Sequence, residues 1–205
     1  MKYQKNQDSK QDSKRMTYTI FVDVETSGLP VTVDFDTYHH PSKIGYYDNS
    51  RIVEIAYMIY DKDKTLIKQL SYIIKPTEFD IKNSHIHGIT QEDAMEFGID
   101  ILDVFQEMKE DIKDVDTIIS HNLRFDLNLI LSECYRYNQK DIINKLKYCN
   151  HVCTMMLGRD VMKIKKRPKL IELYQHLFSE TFDQKHRALS DTVACKDCYY
   201  KMIDK

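Results

Sequence analysis

The sequence predicts an α/β domain, a mixed sheet with helices packed on it. Three observations lead there. The first 75 residues hold three runs rich in β-branched and aromatic residues, the chain beyond residue 100 places apolar residues at spacings of three and four, and a short strand-like run, Asp116–Ser120, separates the helical stretches.

Taken in order, residues 1–16 are dominated by Lys, Gln, Asp and Ser with no apolar segment, which reads as a disordered polar leader rather than a secretory signal. The domain is expected over 17–205. Tyr18-Thr-Ile-Phe-Val-Asp-Val-Glu25 reads as a buried strand that runs into a turn at Thr26-Ser-Gly28. The stretch 30–50 shows neither period and carries Pro30 and Pro41, so a loop or insertion is expected there. Arg51–Tyr60 and Leu66–Lys75, separated by the polar Asp61–Thr65, form the pattern of an antiparallel hairpin, which makes the first three strands a meander. Helical spacing then appears at Ile101, Val104, Phe105 and Met108, followed by the strand at 116–120. A second helix is predicted from about Arg124 to Asn138, with Leu127, Ile130, Leu131 and Cys134 on one face. Lys169–Phe178 and Arg187–Ile203 complete the set, and no internal repeat is visible.

A chain of 205 residues is the size of one domain. Thirty basic residues against thirty-two acidic ones exclude a partner held by bulk positive charge, so any contact with nucleic acid must be built locally or through metal ions. No apolar run is long enough to span a membrane. The five cysteines are an odd number without an export signal, the pattern of reduced thiols in an intracellular compartment, cytoplasmic or nuclear.

Four acids and a histidine stand out. Asp23 and Glu25 are two apart on a strand, so their side chains leave the same face roughly 7 Å apart, where like charges repel. Either they are solvated acids on an exposed face or they hold a metal ion, and the flanking Ile20, Phe21, Val22 and Val24 argue for a strand buried on both faces. Asp126 falls in the first turn of its helix, where the helix dipole favours a carboxylate, at the edge of the apolar stripe and neither buried nor fully solvated. Asp191 shares a stripe with Cys195, Cys198 and Met202 and needs a partner there. His186 lies roughly 140° around a continuous helix from Asp191, so the two can share a site only if His186 sits on the loop leading into the helix.

In order and context the chain resembles the DEDDh family of 3'-to-5' exonucleases. Phe21-Val-Asp-Val-Glu-Thr-Ser-Gly-Leu29, His121-Asn-Leu-Arg-Phe-Asp126 and His186-Arg-Ala-Leu-Ser-Asp191 match its three motifs, and Arg51-Ile-Val-Glu-Ile-Ala56 and Ile86-His-Gly-Ile-Thr90 match secondary features. The likeness runs from about Thr17 to Met202. Departures are Ser27 in place of a second Thr, Cys153 where many members carry Asp, and a longer link over 30–49.

The resemblance implies a ribonuclease H-like fold, a mixed sheet of about five strands with the first three antiparallel and helices on both faces. It implies hydrolysis of a terminal phosphodiester to a nucleoside 5'-monophosphate. Asp23, Glu25, Asp126 and Asp191 would bind two divalent cations, Mg2+ or Mn2+, that bracket the scissile phosphate. His186 would be the general base. Thr26 and Leu29 would hold the terminal nucleotide, with His87 and Asn122 as further contributors. The partner is the 3' end of single-stranded DNA or RNA, with a polymerase or a second copy of the chain as a further partner; the alternative is a proofreading or processing accessory subunit acting mainly through recruitment to a polymerase or RNA-processing complex. A ribonuclease H or other endonuclease on the same fold is a weaker rival, because the spacing from His186 to Asp191 argues against it.

Other candidates have plainer accounts. Cys149-x-His151-x-Cys153 with Cys195-x-x-Cys198 alternates poorly for zinc, and the second pair suits a core stripe. His39-His40 and His85 read as loop histidines. The basic run Lys163-Ile-Lys-Lys-Arg-Pro-Lys169 either contacts a phosphate backbone, serves as a nuclear address or is a solvated loop.

Overall fold

β1 (Tyr18–Thr26) lies at the centre of the sheet, and its alternation decides what each face carries. Ile20, Val22 and Val24 enter one apolar core, while Phe21 enters a second core on the opposite face, the face that Asp23 and Glu25 share with it. The computed structural model describes residues 17–35, 37–182 and 186–204, so the expected leader over 1–16 lies outside the described residues.

β1 pairs antiparallel with β4 (Ile52–Tyr60), which pairs antiparallel with β5 (Leu66–Ile73), so the expected meander forms. On its other edge β1 pairs parallel with β6 (Val115–Ser120), and β6 pairs parallel with β7 (Asn150–Cys153). The order β5-β4-β1-β6-β7 makes a mixed sheet of five strands, as the fold class predicted. β4 is buried along its whole length, which suits its near-continuous apolar sequence and leaves Glu54 as the one acid inside it.

The helices are α1 (Ser84–His87), α2 (Gln91–Phe97), α3 (Ile101–Asp111), α4 (Leu123–Arg136), α5 (Lys140–Tyr148), α6 (Thr154–Met162), α7 (Leu170–Phe178) and α8 (Ala188–Ile203). α3, α4 and α5 cover one face through Val104, Phe105, Ile130, Ile142 and Leu146; α7 and α8 cover the other through Leu173, Ala194, Cys195 and Cys198. Both cores are thus closed by helices, the arrangement a mixed sheet requires. No described helix is long and apolar enough to cross a membrane.

The stretch expected to be a loop or insertion over 30–50 carries short elements of its own. β2 (Thr32–Asp34) and β3 (Thr37–Tyr38) form a small hairpin, and Ile44–Tyr47 makes a 3-10 turn. Its base is fixed to α4: Tyr38 meets the Phe125 ring edge-on, His40 lies against Tyr135, and Arg136 pairs with Asp48 at 2.7 Å. Tyr47 is buried and donates its hydroxyl to the His39 carbonyl. The ends of the excursion meet where a Cβ on Gly28 would lie only 2.3 Å from the Asn49 carbonyl oxygen, so this close approach requires glycine. The strands here are too short, and too dependent on α4, for period to reveal them.

Candidate active site

Asp23 and Glu25 project toward α8 from the second half of β1, just before a register shift between Glu25 and Thr26 that ends regular pairing with β4. Asp126 reaches the same end of β1 from α4. It is buried, against the expectation of an intermediate position, because two partners replace its water: the Ser120 hydroxyl donates to Oδ2 at 2.6 Å and the Val24 N–H to Oδ1 at 3.3 Å. Asn122, which starts α4 with left-handed φ of 71°, turns the chain sharply between β6 and the helix and so aims its first turn at β1.

Asp191 lies in the first turn of α8, and its buried Oδ1 has no hydrogen-bond partner among the described residues. His186 precedes the helix on a loop, as its spacing required, with φ of 47° and an exposed ring. Ligand atoms of Glu25, His186 and Asp191 lie within 4.8 Å of one another, the one such cluster among the described residues. The acids repel. Burial raises Asp23 well above the usual carboxylate range, with Asp126, Asp191, Glu25 and Glu54 adding to it. Burial with Asp191 and Glu54 beside it pushes Glu25 up to about 8, and burial pushes Asp126 up to about 7 against the pull of its Ser120 hydrogen bond. Asp191 rises to about 6 through burial, with His186 opposing the rise.

A cavity of about 450 Å3 opens on this cluster, lined by Asp23, Asp191, His186 and Asn122 and also by Arg167 and Lys169. The end of the basic run therefore borders the site. His121 fastens it: one ring nitrogen, Nε2, meets the Pro168 carbonyl at 3.0 Å and the other, Nδ1, meets the Thr154 hydroxyl at 3.1 Å.

Of the expected nucleotide contacts, Leu29 is 73% exposed beside the turn, while the Thr26 hydroxyl is spent on the Gly28 carbonyl at 2.8 Å. His87 is buried, accepts the Ile89 N–H at Nδ1, and has no partner for Nε2, so it stands behind the site rather than at its surface. No zinc cluster forms among the described cysteines. Cys195 and Cys198 are core residues, and the His151 ring meets the Leu146 carbonyl.

One participant was not singled out from sequence. Glu54, directly opposite Glu25 in the register of β1 and β4, is buried and binds Arg187 through both carboxylate oxygens. A single acid inside the apolar run of β4 was the available signal, since a charge buried there needs a cation.

The family model RNase_T, described as Exonuclease, matches residues 20–199. The chain belongs to this exonuclease family. It is a member of the 3'-to-5', DEDDh type, with the ribonuclease H-like fold. No curated protein sequence matches it. Among solved structures, Escherichia coli Exonuclease I in complex with a dT13 oligonucleotide is 16% identical with a TM-score of 0.67, over 92% of this chain and 41% of that one. The same enzyme with a dA16 oligonucleotide is 17% identical with a TM-score of 0.61, over 92% and 41%. The zinc-ion-bound form of its complex with single-stranded DNA is 16% identical with a TM-score of 0.65, over 92% and 40%. The chain thus spans about two fifths of the length of Exonuclease I, and the likeness concerns the fold.

Proposed function

We propose that the domain hydrolyses the 3'-terminal phosphodiester of single-stranded nucleic acid, DNA in the first instance, and releases nucleoside 5'-monophosphates. The observation that carries this reading is the meeting of Asp23, Glu25, Asp126 and Asp191, drawn from β1, α4 and α8, beneath the exposed His186 ring. Single-stranded DNA is the strand bound in the Exonuclease I structures.

The residues fit a pair of Mg2+ or Mn2+ ions. The four carboxylates offer only oxygen, one buried Asp191 oxygen has no partner among the described residues, and burial together with mutual repulsion raises the pKa of Asp23 and Glu25, a repulsion that bound cations would relieve. Bound there, such ions supply positive charge to the scissile phosphate and lower the pKa of an attacking water. The chain does the rest. His186 accepts the water proton, and Asp191 nearby stabilises the imidazolium so formed. Attack on phosphorus forms the new P–O bond and breaks the bond to the O3' of the preceding nucleotide. Arg167, Lys169 and Asn122 line the same cavity as Asp23 and Asp191, and the two basic side chains hold strand phosphates. Leu29 packs on the terminal base, and Thr26 shapes the turn that presents it.

The test is a 5'-labelled single strand incubated with Mg2+ or Mn2+ and resolved by length. A ladder shortening from the 3' end, with nucleoside 5'-monophosphate released and both lost in excess EDTA, is expected. Internal cuts, or full activity in EDTA, would overturn the reading.

A further inference from the structure

Glu54 carries a buried charge in the middle of the acid cluster, on β4 directly across from Glu25. Left unpaired, a fifth carboxylate there would add to the repulsion among Asp23, Glu25 and Asp191. It is not placed to be a further metal ligand, because both its oxygens are occupied. Oε1 accepts from Arg187 Nη2 at 2.6 Å, from Arg187 Nε at 3.2 Å and from the Ser71 hydroxyl at 3.3 Å. Oε2 accepts from Arg187 Nε at 3.1 Å and from the Ala188 N–H at 2.9 Å.

These contacts fall at one point of the chain. Arg187 is the residue before α8 and offers no side-chain cap, so the Ala188 N–H would be an orphan donor if Glu54 did not take it. Glu54 thus caps α8 from another strand, with a carboxylate at the positive end of the helix dipole. The residue next to Arg187 is His186, whose φ of 47° is a left-handed conformation that non-glycine residues adopt uncommonly. The bidentate Arg187 fork is the anchor that imposes it, since guanidinium and carboxylate planes fix direction as well as distance. Asp191 does not depend on this anchor to the same degree. Beyond its first residue, α8 is held by its buried Thr192, Ala194, Cys195 and Cys198, and Thr192 reaches the Ala56 carbonyl.

We infer that Glu54 is a positioning residue, which through Arg187 fixes the backbone at His186 and so sets the direction of the general base over Glu25 and Asp191. The inference rests on the reading of His186 as the base. It separates the four acids proposed to hold metal, Asp23, Glu25, Asp126 and Asp191, from a neighbouring acid whose task is to hold a cationic side chain.

The experiment is a double-mutant cycle on the full chain: wild type, Glu54→Gln, His186→Ala and the pair, with turnover and KM measured on a 5'-labelled single strand in Mn2+. Glu54→Gln retains an acceptor for Ala188 but loses the charged fork. It is expected to lower kcat about 10- to 100-fold, the scale of a misplaced catalytic group, with KM changed less than about twofold. In the His186→Ala background it should lower kcat by no more than about twofold, because the group it positions is gone. Equal losses in both backgrounds would mean that Glu54 acts through general stability, and no loss would mean that the clamp is idle; either overturns the inference. An unchanged kcat in His186→Ala alone would instead remove the general-base reading and this inference with it. If Glu54→Gln does not fold by circular dichroism, Arg187→Lys replaces it in the cycle, keeping charge without the fork, and is judged by the same two comparisons.

Discussion

His121 makes the stability of this domain depend on pH in a calculable way. Its ring is largely enclosed, and burial lowers its pKa from 6.5 to about 4 against the weaker opposing effect of the Pro168 carbonyl. A carbonyl only accepts, so Nε2 carries the proton and Nδ1 takes the Thr154 hydroxyl, which is the neutral tautomer. Above pH 6.5 the ring is neutral in both folded and unfolded chains and contributes no slope. As pH falls below 6.5 the unfolded chain binds a proton that the folded chain refuses until about pH 4, so stability is lost across that window. With those two values, lowering pH from 7 to 5 removes about 2 kcal/mol through this residue. The acid cluster moves oppositely, since its raised pKa values stabilise the metal-free fold as pH falls from 8, so the total slope does not isolate His121. Urea unfolding of wild type and His121→Gln at pH 7 and pH 5, both without metal, does. The variant starts less stable, and its change between the two pH values should be more favourable than that of wild type by roughly 2 kcal/mol. Identical pH dependence in the two proteins would refute the buried neutral ring.

Asp23→Ala is expected to abolish hydrolysis while leaving the metal-free protein as stable as wild type or more so, because one repelling charge is removed; loss of the cooperative urea transition would contradict this. Thermal melting with added Mn2+ should raise the Tm of wild type and leave that of Asp23→Ala nearly unmoved, and an equal rise in both would place the ion elsewhere. Gly28→Ala drives a methyl into the Asn49 carbonyl and should destabilise by about 1 to 3 kcal/mol in urea unfolding, with the insertion base as the first region to gain hydrogen exchange. Replacing the tip 32–38 by a Gly/Ser link should weaken binding of long strands while dinucleotide turnover survives, because Val31, Val33 and Phe35 stand exposed on the excursion that leaves the Leu29 turn; equal affinity before and after would show the tip to be idle.

The acids on β1 were legible because alternation along a strand is local: Asp23 and Glu25 must share a face whatever the rest of the chain does. The three-strand meander was legible for the same reason, its turns and runs being contiguous. What escaped was set by partners distant in sequence. Asp126 was placed at half burial since its helical wheel cannot reveal that Ser120 and the Val24 N–H would satisfy it. Glu54 drew no attention because its meaning depends on Arg187, 133 positions later. Within the insertion Tyr47 is core, Tyr46 stacks on His39 and Tyr38 leans on Phe125, whereas Val31, Val33 and Phe35 stand exposed nearer the active-site turn, a division that no local pattern in the sequence marks. α5 was missed although Ile142, Ile143 and Leu146 have helical spacing, because nine residues give little periodic signal.

The parallel pairing of β1 with β6 has a consequence for how activity first arises during synthesis. The opening hairpins can form as soon as they leave the ribosome, but β1 must wait for a partner almost a hundred residues downstream, and the last acid waits longer still, on α8. Asp23 and Glu25 are therefore made first and completed last. The four carboxylates can meet only when α8 docks, the step at which Arg187 and the Ala188 N–H reach Glu54 on β4.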